Sequence, residues 1–304
     1  MSEISGCESK QNEKNGQIHF AGYANIATEE IIRTVKEKFL DDVKANPNLY
    51  DSKDIEKIEK NDYFVKRFIN YQNQGSEKGL EHMKKAYKWR KDFNINNFDQ
   101  LCLPKEVYQM GAIFIYLPDK ENDPVLHIRG KMHRKVDLLM DRIKHYFAHL
   151  VNELDEKVGR EFGWSIIVDA TDSGYQNADV DMLTFIIETL RTVFPNGIKY
   201  FIIYGLPTIL NAFAKLMLSL IHSNAKKHIR FFNKQQLLEF VDEQNLPDFL
   251  GGTCTEVYRR VPKDAIDVYT LSKSEGLTRE QVEKLLKPSS KYIDTTNFVY
   301  VEKI

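Results

Sequence analysis

The run from Phe201 to Ile221 constrains this chain most, because it is mostly apolar and long enough to raise the question of a membrane span. Its interruptions argue against one. Gly205 and Pro207 break the run near its start, and Asn211 and Lys215 would meet hydrocarbon in an isolated span. Two shorter elements fit better. Tyr200 to Tyr204, β-branched and aromatic and ended by Gly205, has the character of a strand covered on both faces. Pro207 then opens a helix. Along it Thr208, Asn211, Lys215 and Ser219 share one narrow stripe, while Leu210, Phe213, Ala214, Met217, Leu218, Leu220 and Ile221 occupy the rest of the circumference. A helix between an apolar interior and lipid shows this pattern, and so does a helix sandwiched in a large core.

Lys226, Lys227, His228 and Arg230 come next, directly before Phe231 and Phe232. Cations beside an apolar surface attract anionic head groups, on the order of 1 kcal/mol each. A solvated turn has the same composition. Lys199 to Phe232 is thus expected to form wall and lid of an apolar cavity.

With 304 residues, 42% of them hydrophobic, the chain can bury a substantial core as one large domain or two ordinary ones. A net charge of −1 offers no basic field for nucleic acid. Cys7, Cys102 and Cys254 are scattered and odd in number, which fits reduced thiols in the cytosol. Met1 to Gln17 is polar with no apolar signal core, and residues 1–27 are expected as a disordered tail.

Thr28, Glu29 and Glu30 start a helix carrying Ile31, Ile32, Val35, Phe39 and Val43, and helical spacing recurs over 54–59, 62–71 and 76–91. Residues 28–100 therefore make a helical module. After Leu103 and Pro104 the pattern changes. Strands are expected over 111–117, 125–129, 164–168, 199–204 and 229–232, with helices over 135–154, 180–194 and 207–221. Alternation of this kind predicts an α/β fold with a mixed, largely parallel sheet. Residues 254–304 are polar and are expected as a loose tail with one short helix capped at Thr278.

In this order the residues resemble the CRAL-TRIO family of lipid-binding proteins, such as yeast phosphatidylinositol-transfer and tocopherol-transfer proteins. The likeness runs through Asp62 to Ile69, Tyr87 to Arg90, Ile166 to Asp169 with Gly174, Phe194–Pro195, Tyr204 to Pro207 and Leu246 to Gly252. It looks nearest to the CRAL-TRIO half of motile-sperm-domain-containing proteins, on Tyr50–Asp51, Trp89 to Lys91, Asp179 to Asp181, Phe185 to Ile187, Leu210 to Ala212 and Gly251 to Thr253. Those relatives continue into an immunoglobulin-like partner-binding domain and a membrane anchor. This sequence holds neither, so a tether role is expected only where a partner or a longer form supplies the anchor.

The resemblance implies a lipid-binding domain over 104–253 whose helices and sheet enclose an apolar cavity, closed by a gate helix at Leu206 to Ile221. It implies non-enzymatic binding and intermembrane transfer of a phospholipid or other hydrophobic small molecule, with no cofactor beyond the lipid. The protein would be cytoplasmic and transiently membrane-associated. Cavity residues are expected among Ile166, Val168, Phe185, Ile202, Tyr204, Phe213, Met217 and Phe232; Leu210, Phe213, Leu216, Met217 and Leu220 would form the gate. Lys226, Lys227, His228 and Arg230 would touch membrane or head group. Where phosphatidylinositol-binding members carry an acid, a lysine and two basic residues, this chain has Asn196, His228 and Gln72–Asn73, which points to a different lipid or to a phosphoinositide bound only at the surface through Lys226, Lys227 and Arg230.

Other chemistry is thinly supported. Asp141, His145, His149 and Glu153 share a helix stripe that could hold a divalent metal, or simply face water. Asp169 to Gly174 echoes a calcium loop, but Val180 stands where the bidentate Glu belongs, so turn formation explains it better. No phosphate loop, nucleophile elbow or His-Glu-x-x-His motif occurs. The competing function is a protein-interaction module with a collapsed cavity.

Overall fold

A computed structural model describes residues 25–304. Residues 1–24, with Cys7 and most of the expected tail, lie outside the described residues. Asn25 to Ala27 are docked, since the amides of Ile26 and Ala27 both donate to Asn70 Oδ1 at 3.2 and 3.1 Å.

The Thr28 hydroxyl accepts from the Ile31 amide and opens α1 (Glu29–Ala45). Then come α2 (Ser52–Lys60), α3 (Tyr63–Asn70) and α4 (Gly75–Asp92). Their apolar faces close on Phe39, Ile58, Val65, Phe68, Ile69 and Met83, all buried. Gly79 lets α4 approach α3, because a Cβ there would lie 3.1 Å from the Ile69 Cα.

The second part runs α5 (Lys105–Met110), β1 (Ile113–Tyr116), β2 (Val125–Arg129), α6 (Asp137–Val158), β3 (Trp164–Asp169), α7 (Val180–Thr192), β4 (Ile198–Tyr204), α8 (Asn211–Leu220), α9 (Ser223–Lys226), β5 (Ile229–Phe232) and α10 (Lys234–Phe240). The strands lie side by side in chain order; β1 and β2 are antiparallel and the remaining pairs parallel. This is the expected mixed sheet. The expected gate helix is shorter than its sequence pattern, with a single 3-10 turn over Thr208–Leu210 before α8.

Side chains alternate across a strand, so the sheet has two apolar faces. Leu126, Ile166, Val168 and Phe201 face the side occupied by α6 and α7. Val125, Ile167, Tyr200 and Ile202 face Leu237 of α10 and the following Val241, Leu246 and Leu250. Neither α5 nor α10 is among the elements expected from sequence. α10 had a usable signal, because Asn233 and Gln236 form a reciprocal capping box.

Residues 254–304 are folded, against the expectation of a loose tail. They form β6 (Arg260–Pro262), α11 (Val268–Ser274), α12 (Arg279–Leu286) and β7 (Val299–Val301), with β6 and β7 paired in parallel. Average polarity conceals a few well-spaced anchors: Val261, Val268, Leu271 and Val282 are all buried. The segment is tied to α5 and the turn before it, as the Lys105 amide donates to Ile266 O at 2.8 Å and the Val268 amide to Glu106 Oε2 at 2.9 Å.

Candidate functional site

Met217 and Ala214, on the inner face of α8, cover a cavity of about 260 Å³. The sheet contributes Ile113, Ile128, Val168, Phe201 and Ile203; α6 adds Leu139, Ile143 and Tyr146; α7 adds Met182, Leu183 and Ile186. Apolar side chains dominate, as ligand pockets require, and the volume sits just below the roughly 300–1,000 Å³ of pockets for drug-sized molecules. Beside it lies a second compartment of about 110 Å³ that shares Leu183, Ile186, Phe201 and Met217 with the first. These four side chains are the partition, and moving Met217 would alter both spaces.

The structure divides the residues expected at the cavity. Val168, Phe213 and Met217 line it. Ile166 is fully buried in the core around α6, and Phe185 packs beside that core against Phe93 and Phe147. Ile202, Tyr204 and Phe232 belong to the opposite face of the sheet, packed toward α10, and so are removed from the cavity. The reason is the two-residue period of a strand. In β4 the lining residues are Phe201 and Ile203, one position off, and a run apolar at every position carries no sequence signal for which parity faces inward.

In the expected gate, Leu210, Phe213 and Met217 turn inward. Leu216 and Leu220 are 38% and 41% exposed, with Ile209 at 47%, so the outer face of the helix presents apolar surface to solvent. Leu220 also reaches the rim of the second compartment.

The basic cluster is less outward than its sequence suggests. Lys226 is exposed and Lys227 half-buried. Arg230 folds back, donating to the carbonyls of Lys227 and Ile229 and lying over the Tyr200 ring at 4.9 Å. His228 is no surface cation. It is 6% exposed, stacks on Phe162 with ring centroids 5.1 Å apart, and its Nδ1 lies 2.9 Å from Lys199 O. Burial pushes its pKa down to about 4. Asn196 and His228 both line the second compartment, with Tyr71 and Phe162. The sequence places them far apart; the fold brings them to one small space that Arg191 also borders.

Polar groups gather at the rim of the main cavity. His133 Nε2 lies 3.0 Å from Asp179 Oδ2, while Asp179 Oδ1 caps α7 through the Met182 amide. Asn177 holds the adjoining turn by donating to the carbonyls of Lys131 and His133. Asp169 Oδ1 accepts from the Thr171 amide at 3.0 Å, a local turn of the kind its sequence suggests.

The histidine stripe on α6 packs around an aromatic side chain. His145 and His149 both lie against Phe98, with ring centroids 5.2 and 4.8 Å away, and burial pushes the His149 pKa down to about 4. Among the described residues there is no group of three or more His, Cys, Asp or Glu side chains arranged to hold a metal, and no helix is long and apolar enough to cross a membrane.

The largest group of lining residues without a sequence signal comes from the C-terminal segment. Val268, Ser272, Val282, Leu285, Leu286, Ser289 and Ile293 complete the main cavity. The capped helix at Thr278 was legible; its placement against a cavity built by residues from 104 to 217 was not.

Residues 108–252 match a family model described as the CRAL/TRIO domain. A CRAL-TRIO domain-containing protein of Schizosaccharomyces pombe is 22% identical over 252 residues, which cover 79% of this chain and 54% of that protein. Protein real-time of Drosophila melanogaster is 23% identical over 207 residues, 57% of this chain and 31% of the fly protein. The chain thus spans about half the length, or less, of these curated relatives. The crystal structure of Sfh5 matches with a TM-score of 0.58 at 13% identity, covering 84% of this chain and 96% of that one, which is a likeness of fold.

Proposed function

We propose that this chain, which belongs to the CRAL-TRIO family through its domain at 108–252, binds a hydrophobic lipid in the cavity under α8 and exchanges it with membranes without catalysing a reaction. The observation that carries the proposal is the apolar space of about 260 Å³, continued by a second compartment behind a partition of four side chains. Burying acyl chain there is worth about 0.8 kcal/mol per methylene, enough to hold a lipid that water rejects.

Exchange is assigned to α8 because the helix is apolar on both sides. Phe213 and Met217 face the cavity, while Ile209, Leu216 and Leu220 face outward. Lys226 is the exposed cation of the neighbouring basic cluster and would meet anionic head groups. In the second compartment Asn196 and neutral His228 stand in place of an acid and a lysine, with Arg191 also at its border. The protein-interaction reading requires a collapsed interior, and the cavity weighs against it. The likeness to motile-sperm-domain-containing proteins rests on sequence pairs alone and brings no partner into this proposal.

The test is native mass spectrometry of the purified chain after incubation with phosphatidylcholine vesicles containing phosphatidylserine, followed by lipid extraction. Stoichiometric lipid is expected. A folded protein that remains empty and takes no labelled lipid from the vesicles would overturn the proposal.

A further inference from the structure

The main cavity is completed by a segment beyond the matched family domain, which ends at residue 252. α8 follows β4, and Met217 packs with Ile203 of that strand. The C-terminal segment instead attaches to α5, immediately before β1, through the Lys105–Ile266 and Glu106–Val268 hydrogen bonds. β1 and β4 are separated by β2 and β3 in the sheet, about 14 Å at the usual strand spacing. α8 and the C-terminal helices therefore stand at different ends of one apolar space.

The attachment of α12 differs from that of α11. Among the described residues, no hydrogen bond or ion pair joins an α12 residue to any element beyond its caps and the turn that follows it, where the Ser289 amide donates to Leu286 O at 2.8 Å; the other polar neighbour is Arg279 over the Tyr269 ring at 4.8 Å. Apolar contact holds the helix: Val282 is 2% exposed, and Leu285 and Leu286 line the cavity with it. Before α12 stands Gly276 at φ +77°, open where its Cβ would be; the chain there is tied back to α11 only through the Gly276 and Leu277 amides, which donate to Lys273 O and Ser272 O at 3.2 and 2.9 Å. A helix held only by side chains that also line a cavity can yield when the cavity fills.

We propose that α12 is the movable end wall of the cavity and sets the length of apolar chain the protein accepts, with Leu286 as the residue that determines the stop. This deepens the lipid-binding proposal and rests on it. Leu286 is half-buried and at the end of its helix, so its side chain can be shortened or enlarged without filling the packed core.

The full chain is incubated with vesicles containing an equimolar ladder of phosphatidylcholines from lauroyl to behenoyl, and the captured species are read by native mass spectrometry. Leu286→Trp should shift the captured set toward short chains and Leu286→Ala toward long ones, each changing the long-to-short ratio by roughly threefold or more. Wild-type protein that captures none of the ladder overturns the lipid-binding proposal and this one together. Wild-type protein that loads, with both variants showing its unchanged length distribution, overturns the end wall alone. Hydrogen exchange of the wild-type chain needs no substitution: α12 amides should exchange several-fold more slowly in lipid-loaded than in emptied protein, and equal rates would also overturn it.

Discussion

The Arg67 guanidinium lies 2.5 Å from the Asp155 carboxylate, with both side chains at most 3% exposed. The pair joins α3 of the helical module to α6 beside the main sheet. Asp155 also accepts from the Tyr63 hydroxyl at 2.7 Å and from Trp164 Nε1 at 3.2 Å, and Arg67 Nε donates to Pro195 O at 2.8 Å. A buried charge pair is tolerable when most of its remaining donors and acceptors are engaged; here Arg67 Nη2 is buried without a hydrogen-bond partner. A second junction repeats the solution, with Arg90 bonded to Asp54 and to Asn152 of α6.

Arg67→Met should cost about 3–5 kcal/mol, because it leaves the Asp155 charge buried without its cation. Arg67→Met with Asp155→Leu should recover much of that loss. Urea denaturation of the two variants checks it; equal stability of the single variant and wild type would remove the pair from the account of how the two parts are joined.

Gly197→Ala strikes the same junction without removing a charge. A Cβ there would lie 2.8 Å from Asp155 Oδ1 and 2.9 Å from both Arg67 Nη2 and Trp164 Cζ2. Overpacking of this kind costs roughly 1–3 kcal/mol, read as a lower urea midpoint.

Lys199 holds the β1–β2 turn through Asp119, Glu121 and Asp123 at 3.0, 2.8 and 2.8 Å. Burial opposes its charge, and the three carboxylates more than offset that, keeping its pKa above the usual lysine value. Lys199→Met should destabilise by about 3–5 kcal/mol near neutral pH. Its deficit should shrink as pH falls, because burial raises the Asp123 pKa and protonation then removes the repulsion the lysine had balanced. Denaturant midpoints at neutral and mildly acid pH give the comparison.

His228 should make the fold acid-sensitive. Its folded pKa of about 4 lies below the ordinary 6.5, so the unfolded chain takes up a proton first as pH falls. Its stabilising contribution is complete above about pH 6.5, declines below that, and is lost as pH drops through about 4; between pH 7 and 5 the loss is about 2 kcal/mol. His228→Phe, which keeps a ring against Phe162, should reduce the dependence of the urea midpoint on pH over that range. An unchanged slope would mean that His228 is not buried neutral.

Ile209→Asp and Leu216→Asp test the outward face of α8 and of the turn before it. Both positions are exposed, so stability should stay within about 0.5 kcal/mol of wild type. Transfer of a fluorescent lipid between vesicles should fall several-fold while the amount bound at equilibrium is unchanged. Wild-type transfer rates in both variants would count against membrane docking through this helix.

Much of the architecture could be read from the sequence, because alternating apolar runs, caps and breakers act locally. Thr28 opens α1, Gly205 ends β4, and the short capped helix begins after Thr278 as its sequence suggests. The site was less legible. Tyr200 to Tyr204 is apolar at every position, so either parity could face inward, and the choice fell to Phe201 and Ile203 once α10 covered the other side. The cluster ending at Arg230 reads as surface charge, yet His228 is buried and Arg230 turns back onto the Lys227 and Ile229 carbonyls.

The sequence by itself determined most elements of the helical module and the main sheet, together with the family resemblance, since hydrophobic period and turn chemistry depend on neighbours a few residues away. Only the tertiary structure decided which face of β4 lines the cavity, that Asn196 and His228 meet in one compartment, and that Leu286 helps close a space built mainly by residues 104–217. Those outcomes depend on which surfaces cover one another, and burial is a property of the packed molecule rather than of any segment within it.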